Sequence, residues 1–456
     1  IGIIGAGITG LTLARSLFEE GYEVTVYEKQ PIPGGVMQSH REGEWLAETG
    51  PNTFLVKTGR VERFLHRTSI AEHRIFAPPE AKKRYILRDG ELRELPSGPI
   101  KFLTTDLFST NAKLRLLKEP FVGKPPEDEE QSVAEFVRRR IGQEFLDYAI
   151  NPFVAGVYAG DPKKLSLKHA MPRMHNLEQQ YGSLIWGMLR GSRERKERDR
   201  DLPKHNRIFS FIDGLGQLTK LLAEPLEDHI HYDTEVTGFR QNRDETWQVT
   251  FTRNDESQSD TRQHSALVST LPLHRLSDLQ LDLASTDALS PLQSVTYPPL
   301  SVWTFGVHRS QVEHPLDGFG MLLPEVENRN ILGTLFSSTL FPGRAPEDHV
   351  TLTSFLGGAR QPTLARKSED GQRSLVLREL QDLLGLEGDT EFEHAVQWSH
   401  AIPQYELGFG TVKKALNKLE ETNPGLYLAG NYREGASIND CMDYAIRLGD
   451  RLKDTE

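Results

Sequence analysis

Four residues near the start of the chain are spaced to hold a diphosphate. Gly5, Gly7 and Gly10 form G-x-G-x-x-G, and Glu28 follows 18 residues after the last of them. Gly5 permits a tight turn, Gly7 lets the backbone approach a pyrophosphate, and Gly10 lets a helix pack closely on a strand. A helix starting there offers free N–H groups and the positive end of its dipole to phosphates. Glu28 can accept hydrogen bonds from a ribose 2′-hydroxyl, where a 2′-phosphate would call for a cation. A second glycine pair, Gly34-Gly35, suits a long cofactor whose other half runs past another backbone turn. Arg84 carries a planar fork matched to a carboxylate; read from its neighbours alone, it is a surface ion-pair partner at the start of a hairpin. Cys441 is the only cysteine. Disulfides within the chain, thiolate zinc sites and Fe–S clusters are therefore excluded, and Cys441 reads as a small packing residue. The 15 histidines show no H-E-x-x-H or comparable spacing, so no metal is expected. His169 and His175 read as surface or satisfied residues, not bases.

Positioning these residues takes a strand–helix–strand unit, and residues 1–29 supply its pattern. Ile1, Ile3 and Ile4 read as a buried strand, and Leu11, Ala14, Leu17 and Phe18 share a helix face. Gly21 ends the helix, and 24–27 form a second strand closed by Glu28. At the far end, 426–431 read as a buried strand ending in glycine, and 435–441 enter a terminal helix. A strand–glycine–helix unit at both ends predicts one domain assembled from N- and C-terminal pieces around one cofactor. In between, 84–87 and 92–95 flank an Asp89-Gly90 hairpin turn. The pattern turns helical from 100 to 160, with Leu114, Leu117 and Phe121 on one face. Ser132 and Glu135 make a capping box opening a helix through Arg140. The Arg- and Lys-rich segment 190–207 reads as a mobile loop. Runs 302–307, 321–323, 331–336 and 350–356 predict a second, antiparallel-looking sheet, and 374–384 a helix. No internal repeat is evident.

A chain of 456 residues with 37% hydrophobic and 26% charged residues can bury a large core in two or three domains. Lys+Arg 54 against Asp+Glu 65 leaves a net charge of −11, which speaks against a nucleic-acid surface. No apolar run reaches transmembrane length and no cleavable signal is read. A chain that opens in mid-strand is expected to lack a few preceding residues.

The fingerprint at 5–10, the Gly34-Gly35 turn and Ala429-Gly430-Asn431 resemble the FAD-dependent oxidases of the amine-oxidase/phytoene-desaturase superfamily. More specifically, 151–162 (Asn-Pro-Phe-Val-Ala-Gly-Val-Tyr-Ala-Gly-Asp-Pro), followed by Leu165-Ser166, resembles the active-site loop of the protoporphyrinogen oxidase family. Segments 318–320, 323–324, 332–338, 341–342 and 430–433, with Asp440-Cys441, continue that likeness along essentially the whole chain.

The resemblance implies FAD held by Gly5, Gly7, Gly10, Glu28, Gly34 and Gly35. Val236 would meet the adenine side, and Gly430, Ser437 and Ile438 would flank the isoalloxazine. It also implies that Arg84 pairs with a substrate propionate and that Leu322, Leu335 and Phe355 sandwich a tetrapyrrole, although by type alone those three read as core. Gly156 would face the reacting carbon. No catalytic side chain is expected, because flavin N5 takes the hydride and O2 then restores the flavin with release of H2O2. One departure stands out: the glycine pair is flanked by Ile32 and Val36, where many relatives carry arginines.

The implied fold is α/β, with a Rossmann-type FAD-binding domain built from N- and C-terminal segments (1–80, 208–290, 410–456). A mixed-sheet substrate domain (81–98, 291–409) and a helical, membrane-associating insertion (99–207) complete it. The implied reaction is oxygen-dependent oxidation of protoporphyrinogen IX in haem or porphyrin synthesis. Coproporphyrinogen III is the alternative substrate, one that Arg84 tilts against. More distant alternatives are an amine oxidase, a carotenoid desaturase, or a flavoprotein that carries porphyrin without catalysis. Other partners the resemblance brings are a membrane surface, a ferrochelatase and a second copy in a homodimer. The expected location is cytoplasmic, or peripheral on the cytoplasmic membrane (an organelle inner membrane in a eukaryote).

Overall fold

A computed structural model describes residues 1–126, 129–191, 202, 208–253, 258–283 and 287–453. Gly2–Ile4 is a buried strand, flanked by Thr25–Tyr27 on one side and Leu267–Ser269 on the other. The five-stranded sheet around it is parallel throughout, in the order Ile230–His231, Thr25–Tyr27, Gly2–Ile4, Leu267–Ser269, Leu426–Leu428. Parallel sheets are covered on both faces, so their strands are apolar along their length. Helix Ile8–Glu19 buries Leu11, Ala14 and Leu17 against it and stops before Gly21, whose φ of +88° suits a residue without Cβ. The terminal helix Ile438–Lys453 shares that core through Met442, Ala445 and Leu448. N- and C-terminal pieces thus form one layer, as the two glycine-ended strands imply.

A seven-stranded mixed sheet carries the other half of the site. Its order is Phe392–Trp398, Leu300–His308, His349–Gly357, Ile331–Phe336, Gly320–Leu322, Tyr85–Arg88, Glu91–Glu94. Every pairing is antiparallel except Gly320–Leu322 with Tyr85–Arg88. One face is sealed by helix Glu369–Leu384 through Val376, Leu380 and Leu384. That helix begins five residues earlier than its apolar pattern suggests, because Ser368 caps it by accepting the Gly371 N–H.

The helical segment follows the Tyr85–Glu94 hairpin in the chain. Ser132 and Glu135 form the expected capping box and open Val133–Arg140. Arg140 is fully buried between the equally buried Glu119 and Glu178, at 3.1 and 2.6 Å. Residues 151–158, within the stretch that reads as helical, are a helix, Asn151–Tyr158, with Pro152 in its first turn; it ends at Ala159 in a left-handed conformation. The expected loop at 190–207 falls mostly outside the described residues. Among those described, no helix is long and apolar enough to cross a membrane.

Candidate active site

The two glycine turns meet. The Gly34 N–H donates to the Ala6 carbonyl at 2.8 Å, and Gly7 and Gly34 form an isolated parallel bridge. Gly10 lies so close to the Gly5 carbonyl that a Cβ would fall 2.0 Å from it, which is the close helix–strand packing its spacing suggests. Gly7 is the opposite case: a Cβ there would meet nothing within 4 Å, so its backbone lies bare to the space in front of the turn. The helix it caps has no acid in its first turn and no side-chain cap. Its N–H groups are thus left for an anionic ligand. Glu28 is buried beside them and accepts from Ala6 N–H at 2.7 Å and Gln30 N–H at 2.9 Å. A carboxylate has about four acceptor sites, so capacity remains for ribose hydroxyls. Ile32 and Val36 are exposed and bring no charge to the pair they flank. Thr234, two residues before Val236, donates its N–H to the Glu28 carbonyl. The Val236 side chain itself is in the core, and the residue pairs with Phe251 of the neighbouring strand.

The C-terminal residues converge on the same place. Gly430 has φ +146°, with the buried Tyr432 ring 2.8 Å from where a Cβ would stand. Tyr432 is therefore locked in the core and forms no aromatic cage. Lys57 Nζ donates to Ser437 Oγ at 2.8 Å and pairs with Asp440 at 3.0 Å, while its backbone N–H donates to Asn439 Oδ1. Asn439 Nδ2 is buried beside Ile438 with no protein partner. Such an atom calls for an acceptor. A bare glycine turn, an uncapped helix start and this orphaned amide fit a dinucleotide-length cofactor.

The second sheet supplies an apolar floor. Register places Leu322, Gly333 and Phe355 in one row across three strands, and Gly320, Leu335 and Thr353 in the next row on the same face. The glycines alternate with the large residues and leave them partly exposed, whereas their neighbours Met321, Phe336 and Leu356 face the sealed core. Gly156 comes over this floor: a Cβ there would stand 2.8 Å from Leu322 Cδ2. Phe153 and Val157, one helical turn apart from each other, are both exposed. Tyr158 of this helix stands edge-on to Tyr405, whose hydroxyl donates to the Asn431 carbonyl. The Gly156 helix is thereby tied to the Gly430 turn.

Arg84 stands at the border of the floor, just before strand Tyr85–Arg88. Its guanidinium lies over the Phe319 ring at 4.7 Å and makes a single long contact, 3.4 Å, to the Lys82 carbonyl. Among the described residues no carboxylate pairs with it. Burial lowers its pKa from the ordinary arginine range; this half-buried guanidinium keeps its capacity for an anionic partner. The ion pair expected of a surface residue at a hairpin start is not seen among the described residues. Sequence reasoning did not single out Phe319, Thr353 or Ser337 as site residues, because only the strand register reveals which face they share. It also missed Glu48, an acid at the end of a short run, with no local signal to mark it.

Fold and site together define a flavin oxidoreductase. The profile of the flavin-containing amine oxidoreductases matches residues 8–451, and the chain belongs to that family; its cofactor is FAD. Protoporphyrinogen oxidase 2 (chloroplastic/mitochondrial) of Arabidopsis thaliana is 34% identical over 472 aligned residues, covering 99% of this chain and 93% of that protein. Coproporphyrinogen III oxidase of Bacillus subtilis (strain 168) is 25% identical, covering 97% and 95%. A crystal structure of a protein from Exiguobacterium sp. 255-15 superposes with a TM-score of 0.82 at 21% identity, over 100% of this chain and 98% of the other. At that identity the likeness concerns the fold.

Proposed function

We propose that this enzyme oxidises protoporphyrinogen IX to protoporphyrin IX, with O2 as final acceptor and H2O2 as product. The observation that carries the reading is the apolar floor of Leu322, Leu335 and Phe355, with the unpaired guanidinium of Arg84 at its edge. A porphyrinogen is a broad apolar disc with acidic tails, and this surface complements both features. The similarity to plant enzymes named protoporphyrinogen oxidase supports the same substrate.

FAD supplies the hydride acceptor and the route to O2. It would be held by the Gly5–Gly10 and Gly34-Gly35 backbones, Glu28, the backbone at Val236, and Gly430 with the Ser437–Ile438 helix start. The protein's own residues bind and orient. Arg84 would fix one propionate, Leu322, Leu335 and Phe355 would hold the ring dry, and the missing side chain at Gly156 would let the reacting bridge approach closely. The exposed Ile100, Leu103, Leu114, Leu117 and Phe121 of the helical segment would rest in a membrane interface without spanning it.

Porphyrin fluorescence from either protoporphyrinogen IX or coproporphyrinogen III, corrected for autoxidation, tests the reading. Faster turnover of the first is expected. Preference for the second would move the enzyme to the other substrate, and no turnover of either would remove the reading.

A further inference from the structure

A network of hydroxyls leads away from the apolar floor. Thr353 pairs with Leu335 across the strands and stands two residues from Phe355 on the same face. Its Oγ1 lies 2.9 Å from Ser337 Oγ and 3.0 Å from Thr304 Oγ1. Thr353 and Ser337 also line a cavity of about 10 Å3, the room that one water needs. On its other wall stand Glu48, Asn52 and Arg344.

Glu48 is 4% exposed. Its carboxylate accepts from the Ser39 hydroxyl at 2.6 Å and the Leu215 N–H at 2.8 Å. Arg344 is the charged group nearest to it, at 3.7 Å. That guanidinium is turned more closely to Ser210 Oγ and the Phe211 carbonyl, at 2.8 and 3.0 Å. Behind it stand Arg41 and Asp213, paired with each other at 3.1 Å. Burial therefore outweighs Arg344 and the two hydrogen bonds, and pushes the carboxyl up to about 7. Nothing in the function proposed above uses this group.

Oxidation of each bridge removes a hydride and a proton from the substrate, and O2 needs both to become H2O2. The hydride has its carrier in the cofactor; the proton needs one in the protein. We propose that Glu48 is that carrier: it takes the proton from the cleft through Thr353, Ser337 and a water in the cavity between them, and returns it when O2 is reduced. The carboxylate becomes a neutral acid in the first half and is restored in the second, so the sum is substrate plus O2 giving oxidised ring plus H2O2. Glu48 touches neither substrate nor cofactor directly and acts through the hydroxyls. The inference rests on the oxidase reading.

The test is anaerobic stopped-flow mixing of FAD-loaded enzyme with protoporphyrinogen IX, reading the rate of flavin bleaching against pH. In the native enzyme the rate is expected to rise about tenfold from about pH 5.5 to about pH 8, as the Glu48 carboxyl ionises and becomes able to take the proton. Glu48→Gln, which keeps the shape but cannot titrate, should bleach about tenfold or more slower at about pH 8 and lose that rise. Glu48→Asp should restore the rise, which a purely structural role would not. Where Glu48→Gln fails to bind FAD, Thr353→Val, with the relay interrupted, should slow bleaching at about pH 8 in the same way. A pH–rate profile that Glu48→Gln leaves unchanged overturns the role of Glu48 alone. Failure of the native flavin to bleach overturns the oxidase reading as well.

A second readout needs no substrate. An acid whose folded pKa exceeds its unfolded value of about 4.3 adds stability that is fully present below the unfolded value and lost as pH rises through the folded one. The native Tm should therefore fall between about pH 4.3 and pH 8 by an increment that Glu48→Gln lacks. Parallel Tm–pH curves would overturn the assignment of Glu48 as the titrating group.

Discussion

At the scale of single residues, two charged groups divide the labour. Arg84, the proposed propionate partner, has an aromatic ring beneath it and, among the described residues, no carboxylate beside it. A charge-assisted contact of this kind contributes about 1.5–3 kcal/mol. Arg84→Ala should therefore lower kcat/KM for protoporphyrinogen roughly tenfold to a hundredfold, mostly through KM, while FAD content stays at the native level. Loss of flavin in step with activity would refute that role. Glu28 lies on the other side of the division. Glu28→Ala removes the acceptor for ribose hydroxyls and strands the buried Ala6 N–H, so FAD affinity should fall about tenfold or more. The absorbance ratio of flavin to protein after gel filtration reads this directly. Glu28 was legible in the sequence because it follows the Gly5–Gly10 turn at a fixed spacing. The setting of Arg84 was not legible, since the ring and the missing counter-ion come from residues far away in the chain.

Among the elements, local units could be read and their pairings could not. The Gly2–Ile4 strand, the Ile8–Glu19 helix and the Ser132–Glu135 capping box follow from periodicity and cap chemistry within a few residues. The row Leu322–Gly333–Phe355 depends on register among three strands, and a slip of one residue would turn all three residues into the core. Their apolar type is the same on either face, so sequence alone favoured core. The Asn151–Tyr158 helix lies in the stretch that reads as helical, but the approach of its Gly156 to Leu322 joins elements far apart in the chain and has no local signal. Another buried element is the Glu119–Arg140–Glu178 cluster, which ties the Val133–Arg140 helix to its neighbours. Arg140→Met leaves Glu178 with Arg139 alone, at 2.8 Å, and Glu119 with hydrogen bonds from Ser183, Leu184 and Ile185 but no cation, and should destabilise the helical segment by about 3 kcal/mol. Denaturant unfolding would show a lowered midpoint; an unchanged midpoint would mean the cluster contributes little.

For the whole molecule, N- and C-terminal pieces build a cofactor layer, a mixed sheet builds the cleft, and a helical segment turns apolar side chains outward. The five exposed residues Ile100, Leu103, Leu114, Leu117 and Phe121 lie on consecutive short helical turns. Leu117→Ser with Phe121→Ser should sharply reduce pelleting with liposomes and leave turnover in detergent unchanged. Undiminished pelleting would place membrane contact elsewhere. The central claim concerns the coupling of cleft to cofactor, and anaerobic spectroscopy tests it most directly. Protoporphyrinogen IX mixed with the FAD-loaded enzyme should abolish the oxidised-flavin absorbance, and admitting O2 should restore it as porphyrin accumulates. Flavin absorbance that persists in the presence of protoporphyrinogen would contradict the account.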